Sequence, residues 1–283
     1  MRRVLALAAL LAAAAPARAA DAYSSDWAKS LQSSARLIAA GGGGSAEPRA
    51  GVEITLEGAA LTYWRSPGDA GVPPVFNFRA SQNLAKAEVL YPAPTRFDEN
   101  GSEIFGWRRG VVFPISVTPA DPTRQVTLDL MLDYGACDRI CVPAQAHLSL
   151  VLPAAASPPG PQAARIAVAE TLVPQRREIG APGAPGVRAV TRLPDAAGGK
   201  PAFMLDIGVP PGGAAVSVFA EAPDYFFLKT GTALVTADGG LRVPVTLEDM
   251  PKDAKAVDAV FTLTAGGAAV EVRGRLDVGA PKP

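Results

Sequence analysis

A run of alternating apolar and polar side chains, followed by a cysteine pair, constrains the fold of this chain more than any other feature. From Val126 to Tyr134 apolar residues recur at every second position, with mostly polar residues between them. This period of two predicts a β-strand with one buried face. The strand leads into Gly135, a turn residue, and then into Cys137 and Cys141. We therefore expect a long strand to deliver both cysteines to the edge of a sheet.

The rest of the first half predicts further short strands. Alternating or apolar runs occur at 52–57, 75–78 and 85–91, and Gly and Pro residues, 28 and 27 of them, supply frequent turns. Seven or eight strands at this spacing are typical of an antiparallel β-sandwich. We place this domain at residues 24–153.

Two details of this domain are less regular. Proline and aromatic residues between Pro92 and Gly110 predict an irregular segment, and a segment of this length within a compact domain usually has a function. The strand at 111–117 contains Pro114, which favours an edge position because proline lacks the N–H that a central strand needs.

The second half predicts another sandwich after a connector. Residues 154–186 are rich in Pro and Gly, with a possible helix at 162–171, and are expected to form a semi-rigid connector. From 187 to 279 the strand pattern returns, and Asp238-Gly239-Gly240 is a hairpin signal. This part contains neither cysteine nor histidine. The predicted fold is therefore all-β, with two sandwich domains in tandem.

The N-terminus is typical of a secretory signal peptide. Arg2 and Arg3 precede an apolar run, and Ala17-Arg18-Ala19 forms a small-x-small cleavage site. The run is too short to remain as a membrane-spanning helix. We assign residues 1–20 to the signal and expect a secreted, periplasmic protein. The cysteines would then lie in an oxidising compartment, where a disulfide persists.

Charge and histidine content exclude several classes of function. The 27 Lys and Arg residues balance the 27 Asp and Glu residues, whereas nucleic-acid binders usually carry a basic excess. His147, the one histidine, alternates with leucines and is expected on the solvent face of a strand. A single histidine leaves little room for a metal cluster or a Cys–His dyad. No cofactor-binding signature is present, so no cofactor is predicted.

The cysteine pair has three possible roles. A disulfide that closes five residues removes only ~2 kcal/mol of unfolded-state entropy, so it is a poor staple. A short spacing suits thiol–disulfide exchange, because the second thiol must resolve a mixed disulfide. Between the cysteines, Arg139 favours a thiolate and Asp138 opposes it. Redox exchange, a structural disulfide and metal binding therefore all stay open, in that order.

Copper is the metal to consider. Cys137, Cys141, Met131 and His147 are soft or borderline ligands close together in sequence. Met131 and His147 are, however, assigned to strands on either side of the cysteine turn. Met131 then has the alternative role of a solvent-side strand residue.

Three segments carry a resemblance to a known family. They are YWRSPGDAG at 63–71, YPAP at 91–94 followed by Arg96 and Phe97, and YGACDRICVP at 134–143. Together they are similar to the periplasmic N-terminal region of DsbD/ScsB-type thiol:disulfide interchange proteins. The resemblance covers about 24–152 well and 187–278 loosely, as the second immunoglobulin-like domain of longer members.

The resemblance implies a fold, a site and partners. The fold would be immunoglobulin-like, and Cys137 and Cys141 would be the redox pair. A membrane-embedded thiol electron donor would reduce the pair, which would then reduce periplasmic thioredoxin-like or disulfide-isomerase-like proteins. A loop bearing an aromatic residue would cap the disulfide, here between Phe97 and Trp107. The chain shows no transmembrane bundle or thioredoxin-like domain, so the donor is expected to be a separate protein.

The leading hypothesis is therefore a periplasmic thiol–disulfide oxidoreductase that acts through Cys137 and Cys141. One alternative is a non-catalytic binding module, with two sandwiches and a structural disulfide. The other is a copper-handling protein.

Overall fold

A computed structural model describes residues 22–41, 48–99, 101–154, 156–212, 214–223 and 226–279. The predicted signal peptide, residues 1–20, lies outside these ranges. Within them the chain forms twenty β-strands and one α-helix. The elements are β1 (Ala28–Lys29), β2 (Ser33–Gly41), β3 (Arg49–Leu56), β4 (Leu61–Gly68), β5 (Val75–Asn77), β6 (Leu84–Val89), β7 (Thr95–Glu99), β8 (Ser102–Arg108), β9 (Gly110–Pro119), β10 (Thr127–Cys137), β11 (Cys141–Val151), α1 (Ala163–Thr171), β12 (Gln175–Arg177), β13 (Gly186–Ala196), β14 (Lys200–Gly208), β15 (Val216–Glu221), β16 (Phe227–Thr230), β17 (Leu234–Val235), β18 (Leu241–Asp249), β19 (Ala256–Ala265) and β20 (Ala268–Asp277).

The first ten strands and β11 form one sandwich. One sheet has the order β1-β2-β3-β9-β6, and the other has the order β11-β10-β4-β8-β7, with β5 paired to β10. The alternation at the start of β10 is confirmed: Leu128, Leu130 and Leu132 are fully buried between the sheets, whereas Met131 is 43% exposed. The apolar face of β10 is therefore the face that packs against the opposite sheet, and the alternate residues face solvent.

The strands from β12 onward form a second sandwich. Its sheets have the orders β12-β20-β19-β15 and β13-β14-β18-β16, with β17 paired to β18. Among the described residues of this sandwich, the strand pairs are antiparallel except β12 with β20. Phe203, Phe261 and Leu263 are among the side chains of its core. The predicted fold class, all-β with two antiparallel sandwiches in tandem, is confirmed.

The segment between the sandwiches contacts both of them. In α1, Ile166 is buried against Ile38 of the first sandwich, and Glu170 accepts a hydrogen bond of 2.8 Å from Arg49. The strand β12, a few residues later, belongs to the second sandwich. The chain between the sandwiches is therefore held by packing and ion pairs, and the limits of the two domains stay a prediction. No helix among the described residues is long and apolar enough to cross a membrane.

Two predictions about irregular elements were wrong. Most of the segment from Pro92 to Gly110 forms the antiparallel hairpin of β7 and β8, which turns at Gly101 with a φ of 85°. Glycine adopts this left-handed conformation without the Cβ clash that other residues meet.

The strand β9 is central, between β3 and β6, although it contains Pro114. The Pro114 carbonyl accepts a hydrogen bond of 2.8 Å from the Leu90 N–H, directly after β6 ends. The missing proline N–H therefore falls at the end of the β6–β9 ladder, where little pairing is lost.

Replacing Leu130 by Ala should lower the free energy of unfolding by ~2–5 kcal/mol, because it opens a cavity in the first core. The neighbouring substitution Met131→Ala is the matched control, and it should change stability by only about 0.5 kcal/mol because Met131 lies at the surface. Urea denaturation followed by tryptophan fluorescence measures both. Equal losses would contradict the face assignment of β10.

Candidate redox site

The two cysteines form a disulfide at the turn end of the β10–β11 hairpin. Cys137 is the last residue of β10, and Cys141 is the first residue of β11 and its direct cross-strand partner. Their Cα atoms are 4.0 Å apart. The three residues between them make a turn in which the Asp138 N–H donates to the Ile140 carbonyl at 3.2 Å. The register of the hairpin therefore brings the sulfur atoms together.

The two halves of the disulfide differ in accessibility. Cys137 is 4% exposed and packs against Leu61 and Ile104. Cys141 is exposed. A molecule arriving from solvent meets Cys141 first, whereas Cys137 is held in an apolar cluster.

The polar side chain of Tyr63 contacts the disulfide. Its hydroxyl lies 3.4 Å from the Cys141 sulfur. The ring is held in a narrow slot: a Cβ on Gly135 would lie 3.1 Å from the ring, and a Cβ on Gly71 would lie 2.3 Å from it. Gly71 also has a φ of 138°. Glycine at both positions lets the ring approach the hairpin.

The phenol of Tyr63 keeps its proton over a wide pH range. Burial raises its pKa above the ordinary value, and the negative charge of Glu99 adds to the rise. An ordinary cysteine thiol ionises below an ordinary tyrosine. Tyr63 therefore remains a neutral hydrogen-bond donor when a thiolate forms beside it.

The β7–β8 hairpin covers the buried side of the disulfide. Phe97 packs against the apolar cluster that contains Cys137, and the Arg108 guanidinium lies 5.0 Å above its ring. The other two aromatic residues of the predicted capping segment point elsewhere. Trp107 packs against Phe113, and Phe105 packs against Phe219. Of the three, only Phe97 lies at the site.

The residues considered as copper ligands do not come together. Met131 and His147 are cross-strand partners, six positions along the ladder from the cysteines, which corresponds to ~20 Å of strand. His147 instead contacts a carboxylate oxygen of Asp129 at 2.9 Å. Among the described residues, no group of three or more His, Cys, Asp or Glu side chains is placed to hold a metal ion.

Fold and site together define an immunoglobulin-like sandwich that carries a two-cysteine disulfide at one end. Residues 40–153 match the family model described as "Thiol:disulfide interchange protein DsbD, N-terminal". The first sandwich is thus a domain of the DsbD N-terminal type, and the resemblance predicted from the sequence is confirmed for it.

One solved structure resembles the chain across both sandwiches. The N-terminal periplasmic domain of ScsB from Proteus mirabilis aligns with a TM-score of 0.67 and 22% identity, covering 91% of this chain and 99% of that one. This likeness establishes the shared fold. A conserved domain protein from Bacillus anthracis aligns at a TM-score of 0.23 and 10% identity, over 92% of this chain and 93% of that one. No curated protein matches the chain.

The sequence predicts Cys137 and Cys141 as site residues but does not reveal Tyr63 as the neighbour of Cys141. The signal was present, because Tyr63 opens a segment that resembles the family and Gly71 closes it. Which face of β4 meets the hairpin, however, depends on the pairing of Cys137 in β10 with Leu61 in β4. These two strands lie far apart in the sequence.

Reducing the disulfide should lower the free energy of unfolding by only about 2 kcal/mol, because the closed loop is short. Urea denaturation with and without dithiothreitol measures the difference, and the double variant Cys137→Ala/Cys141→Ala should match the reduced protein. Unfolding of the reduced chain in buffer would instead identify the disulfide as a structural staple.

Proposed function

We propose that this chain is a periplasmic thiol–disulfide exchange protein in which Cys137 and Cys141 cycle between disulfide and dithiol. The observation that carries the proposal is the disulfide between the exposed residue Cys141 and the buried residue Cys137 in a domain of the DsbD N-terminal type. A membrane-embedded thiol donor would reduce the pair. Periplasmic thioredoxin-like or disulfide-isomerase-like proteins would receive the electrons.

Reduction proceeds in two balanced steps. A donor thiolate attacks the Cys141 sulfur, a new S–S bond forms, and the Cys137–Cys141 bond breaks to release Cys137 as a thiolate that takes up a proton. The second thiol of the donor then attacks the donor sulfur of the mixed disulfide. This step frees Cys141 and leaves the donor oxidised to its own disulfide. Two electrons and two protons have passed to the cysteine pair.

Delivery to the next protein is the same chemistry in reverse. The Cys141 thiolate attacks the acceptor's disulfide, and one acceptor thiol leaves. Cys137, which lies directly opposite Cys141 on the neighbouring strand, then attacks the Cys141 sulfur. The internal disulfide re-forms and the second acceptor thiol leaves. The hairpin supports this resolving step because it keeps the two sulfur atoms together in both states.

Two neighbours have defined roles in this scheme. Tyr63 donates a hydrogen bond to the Cys141 sulfur and stabilises its thiolate. Phe97 covers the cluster around Cys137 and acts as the cap, so that attack is directed to Cys141. The structural-disulfide alternative assigns no role to the exposure of Cys141. The copper alternative lacks an assembled set of ligands among the described residues.

The variant Cys137→Ala should trap partner proteins as mixed disulfides, because it leaves the exposed Cys141 without its resolving thiol. Cys141→Ala should trap far less, since Cys137 is buried. Non-reducing electrophoresis of cells that secrete each variant, with the double alanine variant as control, detects the adducts. If neither single variant forms adducts, the exchange hypothesis fails.

The variant Tyr63→Phe should slow alkylation of Cys141 by iodoacetamide at pH 7 by about threefold in the reduced protein. A hydrogen bond to a thiolate contributes ~1.5 kcal/mol, roughly tenfold in the ionised fraction, and the lower nucleophilicity of the stabilised thiolate offsets part of that gain. Mass spectrometry of the Cys141 peptide gives the rate.

The matched control for this experiment is Tyr134→Phe. Tyr134 lies on the same hairpin, and its hydroxyl contacts the Ser33 hydroxyl at 2.8 Å and not a sulfur atom. Alkylation should therefore keep its wild-type rate in the control. An equal slowing in both variants would show that Tyr63 acts through general stability and not through the sulfur.

A further inference from the structure

The strand that carries Tyr63 is bulged directly after it. Tyr63 pairs with Gly106 of β8, and the next paired position is Gly68 with Ile104. Between these two pairs the chain advances five residues along β4 but only two along β8. A bulge redirects the side chains within it. Here it contains Trp64 and Arg65, and both reach the second sandwich.

The apolar part of this contact is an aromatic cluster. Trp64 and Phe219 of β15 are almost fully buried, and their ring centroids are 5.7 Å apart. Phe105 of β8 lies 4.9 Å from Phe219, nearly perpendicular to it. Edge-to-face packing of this kind adds to the burial energy of the rings. Phe219 of the second sandwich therefore packs against side chains from two strands of the first, β4 and β8.

The charged part of the contact is centred on Arg65. Its guanidinium donates hydrogen bonds of 2.7 and 2.8 Å to the two carboxylate oxygens of Glu221, and one of 2.7 Å to Glu271. Burial opposes the charge, but the hydrogen bonds and the charges of these carboxylates outweigh it and raise the pKa of Arg65. A bidentate arginine–carboxylate pair fixes direction as well as distance.

The hairpin that bears Phe97 is attached to the same strand of the second sandwich. Arg96 of β7 donates a hydrogen bond of 2.5 Å to the Val218 carbonyl and forms an ion pair with Glu103. Its guanidinium lies 5.0 Å from the ring of Phe105. The segments that carry Tyr63 and Phe97, the two side chains that flank the disulfide, are thus both anchored on β15.

From this geometry we infer that β15 is a positioning platform for the disulfide. Phe219 and Glu221 hold the bulge next to Tyr63, and the Val218 carbonyl holds the residue next to Phe97. The second sandwich, which has no cysteine of its own, would in this way set how readily the disulfide is attacked. The biological purpose of this platform rests on the proposed function. Its effect on the disulfide, however, can be measured without any partner protein.

The test is the rate at which dithiothreitol reduces the disulfide in the full chain under native conditions. Phe219→Ala and Glu221→Gln should each accelerate reduction by about fivefold or more, a usual size for coupling between sites. The rings of Tyr63 and Phe97, no longer supported, would move away from the disulfide and leave it more open to attack. Glu248→Gln is the matched control. It removes an ion pair with Lys200 elsewhere in the second sandwich and should leave the rate unchanged.

The rate separates positioning from stability. Thermal melting of each variant is measured in parallel, because a less stable chain unfolds more often and then exposes its disulfide. An acceleration that this loss of stability fully accounts for would mark a purely structural role. Reduction of both platform variants at the rate of Glu248→Gln would overturn the inference. If Phe219→Ala does not fold, Glu221→Gln, which keeps the shape of the side chain, decides alone.

A small reductant also keeps this test apart from that of the proposed function. If the cysteine variants trap no partner but the disulfide of the platform variants is still reduced faster, the proposed function fails and the platform stands. If partners are trapped and the disulfide of the platform variants is reduced at the control rate, the platform fails and the exchange function stands.

Discussion

The pairing of β10 with β11 is the interaction on which the site depends. The two strands, eleven residues each, are paired from Thr127 and Val151 to Cys137 and Cys141 without a register shift. Burial of Leu128, Leu130 and Leu132 fixes this register, because a slip of one residue would turn the apolar face of β10 to solvent. The sulfur atoms therefore meet as a consequence of core packing far from them.

This arrangement separates the stability of the domain from the state of the disulfide. A disulfide that closes so short a loop contributes little to folding, and the hydrophobic core of the first sandwich contains many buried residues from both sheets. The scaffold can therefore keep its shape while the S–S bond opens and closes. A bond between distant strands would have stabilised more and would have coupled each redox cycle to the fold.

The parts of the structure that the sequence predicts are those that depend on local pattern. The alternation in β10 is visible because one of its faces is buried along the whole strand. The strands β7 and β8 are hidden, since Pro92 and Pro94 precede them and aromatic residues fall on both faces. The central position of β9 was missed because Pro114 lies where the neighbouring strand ends, which the sequence of β9 alone does not reveal.

The contact between the sandwiches is beyond local pattern for a different reason. Arg65 and Glu221 are 156 residues apart, and nothing near either residue indicates a partner. Yet this contact gives the second sandwich a physical connection to a site in which it has no chemical group. Tyr63 precedes the bulge by one residue, and Phe97 follows Arg96 by one residue, so each anchor acts on a flanking side chain at the shortest possible distance along the chain. A rigid element next to a reactive bond limits the directions from which it is attacked, and here that element includes a strand from the other domain.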